Sequence, residues 1–382
     1  MQLRVIVLLL CLLSRAQTST ALDHVTIVRD GQRQQVAGRI LVTAEDGGML
    51  LLATDGVLWT LKASEVAGQT SDDAAFDALR AEDIARRALG ELPASFLPYH
   101  TAHYVILHNT SRAYVEWCGS LFERLHMAFY NYWDKKGFDL HEQEFPLVAI
   151  VFPDAASFDS FSRSELGGPA GSIIGFYSER SNRMIMYDLS GIEAFRRPGD
   201  RRGSTTGINQ ILSRPEAERM VATIIHEATH QLAFNAGLQT RYADNPRWMS
   251  EGLAEYFETP DLTSRRGWRT IGAVNTYRLN RFREYVARRP ANSLSSLVAD
   301  DTRCNDRDSS RAEDAYAEAW ALTYFLIRQR PEQYRAYLRR LAEKPRLQWD
   351  SPEQRLDDFR AAFGVAPADL EAEFLREISR LR

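Results

Sequence analysis

The chain has 382 residues, of which 45% are hydrophobic and 26% are charged, with 22 glycines and 14 prolines. This length and composition predict a globular protein of two or three domains, and they exclude a disordered or collagen-like chain. The 47 Lys and Arg residues against 51 Asp and Glu residues leave a formal net charge of -4. Because the chain has no basic surplus for neutralising phosphates, we expect no nucleic-acid partner.

Residues 1–21 have the pattern of a secretory signal peptide. Arg4 precedes an apolar run from Val5 to Leu13, and small residues at Ser19-Thr20-Ala21 offer a cleavage point. The pattern predicts export to the periplasm, the cell envelope or the medium. A buried strand or an anchor helix is the alternative for this run. No later segment contains 18 continuous apolar residues, so we expect no transmembrane segment in the mature chain.

Removal of the predicted signal peptide would leave two cysteines in the mature chain, Cys118 and Cys304. In an oxidising compartment these two can form a single disulfide. A free buried cysteine also behaves as a small hydrophobic residue, so the sequence leaves both states open.

Residues 22–66 alternate short β-prone runs with turn signals, which predicts a small antiparallel β module. The predicted strands are Val25–Val28, Val36–Val42, Met49–Ala53 and Val57–Leu61. Residues 67–98 form a predicted helical connector, because a helical pattern over Phe76–Leu92 stops at Pro93.

Within residues 99–262 the pattern predicts longer strands, which flank a long helix over Ser111–Trp133. The strands are predicted at Tyr104–Leu107, Phe145–Phe152, Ile173–Tyr177 and Met184–Tyr187, followed by a loop over Ser190–Arg214 and helices over Arg214–Asn235 and Trp248–Glu258. Residues 263–382 are predicted to be mostly helical. The fold class is therefore α+β.

The predicted helix over Arg214–Asn235 contains the sequence His226-Glu227-Ala228-Thr229-His230. Four residues are just over one helical turn, so both imidazoles project from one face and can bind one metal ion. Glu227 stands beside them, where a carboxylate can take a proton from water. The alternative is that the two histidines are buried core residues, but two imidazoles and a carboxylate are costly to bury without partners.

A catalytic zinc ion takes three protein ligands, so a third ligand has to come from another element. The following helix contains Trp248-Met249-Ser250-Glu251-Gly252-Leu253-Ala254-Glu255-Tyr256, with Glu251 21 residues after His230. Glu251 and Glu255 stand one helical turn apart and share a face.

These two motifs resemble those of the gluzincins, the peptidase MA-like zinc metallopeptidases, and in particular an uncharacterised secreted bacterial branch. The resemblance implies a zincin-like domain with a mixed sheet ahead of the active-site helix and a helical C-terminal half. It implies that His226, His230 and Glu251 hold Zn²⁺, and that Glu255 orients a ligand histidine. The implied activity is hydrolysis of peptide bonds by a zinc-bound water that Glu227 activates.

The sequence also departs from better-known branches of that superfamily. It has no Gly-x-Met-Glu-Asn element for holding a free amino terminus, which favours an endopeptidase. No histidine follows His230, so Tyr316 is the candidate donor to an oxyanion, although its place on a helix with Trp320 and Tyr324 favours a packing role. We expect the strand Met184-Ile185-Met186-Tyr187 to form the sheet edge that pairs with an extended substrate.

The expected function is thus a secreted zinc-dependent endopeptidase with a peptide or protein substrate. A non-catalytic metal-containing binding or scaffold protein of the cell envelope is the main alternative. A hydrolase acting on another amide of the envelope is a second one.

Overall fold

The computed structural model describes residues 21–168, 171, 173–259, 261–262 and 270–382. Apart from its last residue, the predicted signal peptide lies outside this part of the chain. The chain forms two compact units, one of residues 21–54 with 59–77 and one of residues 55–58 with 78–382. An antiparallel sheet, a mixed sheet with helices between its strands and a helical C-terminal half follow one another along the chain, which confirms the α+β class. None of the helices that the structure describes is long and apolar enough to cross a membrane.

The first unit is a five-stranded sheet in the order β4-β3-β2-β1-β5. Its strands are β1 (Ala21–Arg29), β2 (Gln32–Thr43), β3 (Met49–Ala53), β4 (Leu58–Leu61) and β5 (Val66–Ala75). Asp30 and Gly31 join β1 to β2 with φ angles of 52° and 74°, the conformation of a tight hairpin turn. The strand β5 falls where a helical connector was predicted. Its side chains are almost all exposed, so it lacks the apolar alternation that marks a strand in the sequence.

The second unit begins with a five-stranded mixed sheet in the order β6-β7-β8-β10-β9. Its elements in chain order are α1 (Ala81–Leu89), β6 (Leu97–His100), β7 (Tyr104–His108), α2 (Arg112–Lys135), β8 (Leu147–Phe152), α3 (Ala155–Leu166), β9 (Gly175–Ser178) and β10 (Arg183–Tyr187). The three central strands β7, β8 and β10 are parallel, while β6 and β9 run antiparallel to their neighbours.

The expectation that Met184–Tyr187 forms the sheet edge is wrong. These residues belong to β10, which pairs with β8 on one side and with β9 on the other. All five residues of β10 are buried, because the strand is paired on both sides and covered on both faces. The edge of the sheet on this side is β9.

The rest of the second unit is helical. The helices are α4 (Thr205–Leu212), α5 (Pro215–Asn235), α6 (Arg247–Phe257), α7 (Thr276–Val286), α8 (Ser293–Ala299), α9 (Ser309–Gln329), α10 (Pro331–Ala342), α11 (Pro352–Phe363) and α12 (Pro367–Ser379). Helix α4 lies within the predicted loop. Helix α5 starts at Pro215, whose fixed φ suits a first helical turn.

Two packing contacts position the residues of interest. Helix α5 packs against β9, β10, α2 and α6, and α6 packs against α9. The contact between α6 and α9 is close at Gly252, where an added Cβ atom would lie 2.6 Å from the carbonyl oxygen of Ala319. A glycine is therefore required at this crossing.

Cys118 and Cys304 are both free and buried. They stand on α2 and in the segment between α8 and α9, and burial raises the pKa of both thiols. Of the two states that the sequence left open, the structure shows the free thiols.

Candidate metal centre

The central helix α5 is fixed to the sheet by buried amide groups. The side-chain nitrogen of Gln231 donates to the carbonyl oxygens of Val148 and Asn182, each at 3.0 Å. The Asn235 amide donates to Asn182 Oδ1 at 2.8 Å. Because these bonds tie α5 to the ends of β8 and β10, the helix face one turn earlier has a defined position above the sheet.

Three side chains meet on that face. The Nε2 atoms of His226 and His230 lie 3.1 Å apart. Glu251 Oε2, on α6, lies 3.1 Å from His226 Nε2 and 3.6 Å from His230 Nε2. Within the described part of the chain, this is the only group of three or more His, Cys, Asp or Glu side chains arranged to hold a metal ion. The structure therefore brings together the three predicted ligands from two helices.

The spacing of these atoms fits a tetrahedral zinc ion. Ligand bonds of about 2.0–2.1 Å in tetrahedral geometry separate the ligand atoms by about 3.3 Å. The three side chains are only 11–13% exposed. A single proton can bridge only two of these three ligand atoms, so the third atom is left without a partner. A metal cation can accept a lone pair from all three atoms at once. The donor set of two imidazoles and one carboxylate suits Zn²⁺.

Burial and charge act in opposite directions on the protonation of this group. Burial lowers the pKa of His226, but the hydrogen bond and charge of Glu251 outweigh it and raise that pKa to about 9. Burial alone raises the pKa of Glu251, yet the bonds from His226 and His230 hold it well below its usual range. The carboxylate is thus kept ionised, as a metal ligand has to be.

Glu227 lies beside the three atoms and is held by the edge strand. Its Oε2 accepts a hydrogen bond from the backbone N–H of Tyr177 on β9, at 2.8 Å. Burial raises its pKa. One oxygen of the Glu227 carboxylate is thus hydrogen-bonded to the strand, and the other oxygen faces the cleft.

The group opens into a cleft of about 630 Å³. The edge strand contributes Gly175, Phe176 and Tyr177, and α9 contributes Tyr316. Charged side chains of both signs line the remainder, namely Glu179, Arg219, Arg247, Glu258, Arg278, Asp301 and Glu313. A cleft of this size lies within the range of about 300–1,000 Å³ that is typical of ligand-binding sites.

Glu255 is fully buried one turn after Glu251. Its Oε1 lies 3.0 Å from Arg278 Nε, and burial raises its pKa to about 8. The contact with Arg278 is an ion pair without the geometry of a hydrogen bond. His226 Nδ1 is also buried, and it has no hydrogen-bond partner among the described residues. The predicted role of Glu255 in orienting a ligand histidine stays a prediction.

Tyr316 lies at the cleft, and its hydroxyl oxygen accepts hydrogen bonds from Arg247 Nε at 3.3 Å and Arg247 Nη2 at 3.2 Å. Burial raises the pKa of Tyr316, so its hydroxyl keeps the proton at neutral pH. Tyr316 is therefore more than a packing residue, since its oxygen is in a polar network beside the candidate metal ligands.

Three residues of this site were not predicted from the sequence. Arg247 contacts Glu251, Ser250 Oγ lies 3.5 Å from His230 Nδ1, and the Tyr177 backbone contacts Glu227. A signal existed for Arg247 alone, because an arginine four residues before a glutamate shares its helix face. The other two contacts depend on how α6 and β9 approach α5.

Comparisons with known proteins do not assign an activity. Residues 220–348 match a family model described as a protein of unknown function, DUF1570. The matched residues include the three candidate ligands, Glu227 and Tyr316. No curated protein matches the chain.

Proposed function

We propose that the protein is an exported zinc-dependent metallopeptidase of the gluzincin type that cleaves peptide bonds within a chain. The observation that carries this proposal is the triangle of His226 Nε2, His230 Nε2 and Glu251 Oε2, with sides of 3.1 to 3.6 Å. Glu227 stands at its side, which is the arrangement that metal-assisted hydrolysis requires.

Zn²⁺ held by these three residues would acidify a water molecule and polarise a substrate carbonyl. Glu227 accepts a proton from the attacking water through the oxygen that Tyr177 does not bind. As the water oxygen bonds to the carbonyl carbon and the C–N bond breaks, Glu227 returns the proton to the leaving nitrogen. The Tyr316 hydroxyl supplies a hydrogen bond to the negative charge that develops on the carbonyl oxygen.

The strand β9 supports a peptide as the substrate. It is the edge of the sheet and it lines the cleft. The Tyr177 N–H points away from β10 and is occupied by Glu227. The Tyr177 carbonyl and the backbone groups of Gly175 point the same way by the two-residue period of a strand, and they are the groups left for a substrate. An extended substrate can therefore pair with β9, rather than with Met184–Tyr187.

The test of the proposal is the zinc content of the purified protein, measured by elemental mass spectrometry. We expect about one zinc ion per wild-type chain and clear loss in Glu251→Ala. Glu313→Ala is the matched control, because it removes another carboxylate from the same cleft that lies outside the triangle. A wild-type protein without zinc under zinc-replete conditions would contradict the proposal.

Activity assays then separate the peptidase from its alternatives. Turnover of a peptide library identifies a peptidase, and turnover of envelope extract alone identifies a hydrolase of another amide. Zinc without any turnover would support a metal-containing scaffold protein instead.

A further inference from the structure

The two oxygens of the Glu251 carboxylate have different neighbours, and Arg247 lies beside one of them. It stands one helical turn before Glu251 on α6, and its Nε lies 3.5 Å from Glu251 Oε1. The other oxygen, Oε2, faces His226 and His230. The carboxylate is therefore presented to the histidines through one oxygen only.

The same guanidinium group reaches across to α9. Arg247 Nε and Nη2 lie 3.3 and 3.2 Å from the Tyr316 hydroxyl oxygen. Arginine has donors and no acceptor, so the tyrosine oxygen accepts and its own proton has to point elsewhere. Since Tyr316 lines the cleft, the proton is directed away from Arg247 and toward the cleft.

The position of Arg247 is itself anchored. Its backbone N–H donates to Asp301 Oδ1 at 2.9 Å, and Asp301 is held in turn by the guanidinium of Arg355. The side chain of Arg247 is 43% exposed and lines the cleft. The anchored backbone and the two hydrogen bonds to Tyr316 hold the guanidinium in place beside Glu251.

We propose that Arg247 is a positioning residue with two effects: it restricts Glu251 to one ligand oxygen, and it makes Tyr316 a hydrogen-bond donor into the cleft. This inference rests on the proposed metal site. A planar guanidinium is suited to this task because two of its N–H groups donate to the Tyr316 oxygen while its charge lies beside Glu251 Oε1, an arrangement that the point charge of a lysine cannot reproduce.

The first arm of the test measures the zinc dissociation constant by competition with a chromophoric chelator. We expect Arg247→Ala to weaken zinc binding by about tenfold or more, as is typical when a partner of a ligand is removed. Arg247→Lys should recover part of that loss, because it keeps the charge. Tyr316→Phe should leave zinc affinity unchanged, since Tyr316 does not contact Glu251 in this scheme. Arg219→Ala is the matched control for removing a guanidinium from the same cleft.

The second arm separates positioning from misfolding. Because the Arg247 side chain is open to the cleft, methylguanidinium at a non-denaturing concentration can enter the space that Arg247→Ala leaves. We expect it to restore zinc affinity in Arg247→Ala and to change nothing in the wild type or in Arg219→Ala. The Co²⁺-substituted Arg247→Ala protein should also differ from wild type in visible absorption, which reports the number of ligand atoms.

The outcomes distinguish the two proposals. A wild-type protein that binds no zinc overturns both the proposed function and this inference. Tight zinc binding in the wild type and equally tight binding in Arg247→Ala, with the same Co²⁺ spectrum, overturns the inference alone. Weakened binding that methylguanidinium does not restore also overturns it, because that result indicates a general disturbance of α6.

Discussion

The backbone N–H of Tyr177 donates a hydrogen bond to Oε2 of Glu227, at 2.8 Å. This contact joins the edge strand β9 to the base candidate on α5, across 50 residues of sequence. In the proposed reaction, the strand that aligns the substrate therefore also orients the group that moves the proton.

Replacing Glu227 separates metal binding from proton transfer. Glu227→Gln keeps an oxygen that accepts the Tyr177 N–H, so we expect the variant to fold and to retain zinc. Without a carboxylate to take the proton, peptide turnover should fall by about 10²- to 10⁴-fold. Zinc analysis and peptide assays on the same preparation check both points. Wild-type rates in Glu227→Gln would show that another group is the base.

If a substrate peptide pairs with β9, methylation of its backbone amides should weaken binding at every second residue of the peptide. In a peptide bound as an antiparallel strand, every second N–H faces β9 and the others face away. Methylating an amide that faces β9 should weaken binding by about tenfold, the cost of one lost hydrogen bond with its steric clash. The intervening amides serve as internal controls. Loss of binding without a two-residue alternation would exclude strand pairing.

The close approach of α6 and α9 predicts that Gly252 tolerates no side chain. In Gly252→Ala the new Cβ would lie 2.3 Å from Thr323 Oγ1 and 2.6 Å from the Ala319 oxygen. We expect a net loss of about 1–2 kcal/mol in the free energy of unfolding, since the clash outweighs the helix preference of alanine. Zinc affinity should fall as well, because the displaced helix carries Glu251.

Denaturant unfolding measures the effect of Gly252→Ala. Gly203→Ala is the control, because an added Cβ meets nothing within 4 Å there. Equal stability of the two variants would mean that α6 and α9 are free to separate.

His126 predicts a loss of stability at acidic pH. It is 9% exposed, and burial together with the charge of His103 lowers its pKa to about 4. The rings of His103 and Tyr130 stack on it, Gln143 Oε1 lies 3.2 Å from its Nε2, and Glu123 pairs with His103. In the unfolded chain the pKa of a histidine is about 6.5, so the unfolded state takes up the proton at a higher pH.

The sign of the effect follows from that difference. The neutral His126 stabilises the fold above about pH 6.5, and this stability is lost as the pH falls toward 4. Between pH 7 and pH 4 the free energy of unfolding should fall more steeply in wild type than in His126→Gln, by about 3 kcal/mol at most. Parallel curves of unfolding free energy against pH would contradict the prediction.

Much of the candidate site could be predicted from the sequence because its signals are local. His226 and His230 share a helix face whatever surrounds them, since four residues complete one helical turn. Glu251 was proposed because its helical segment resembles the second zinc motif of the gluzincins. The element types of the second unit were also mostly predicted, because apolar periodicity and Gly or Pro stops are properties of short segments.

The order of the strands is a tertiary property, and there the prediction for Met184–Tyr187 was wrong. A fully apolar run indicates a strand covered on both faces, which is what β10 is. The polar strand β5 was missed for the opposite reason, because hydrogen bonds to β1 rather than buried side chains hold it in place.

The sequence by itself determined which residues are the candidate ligands, which carboxylate beside them is the candidate base, and the α+β class. Only the tertiary structure decided that β9 is the edge that holds Glu227, and that Arg247 joins Glu251 to Tyr316. These contacts bridge residues as far as 69 positions apart. Such contacts form where helices and strands pack against one another, and no period along the chain encodes that packing.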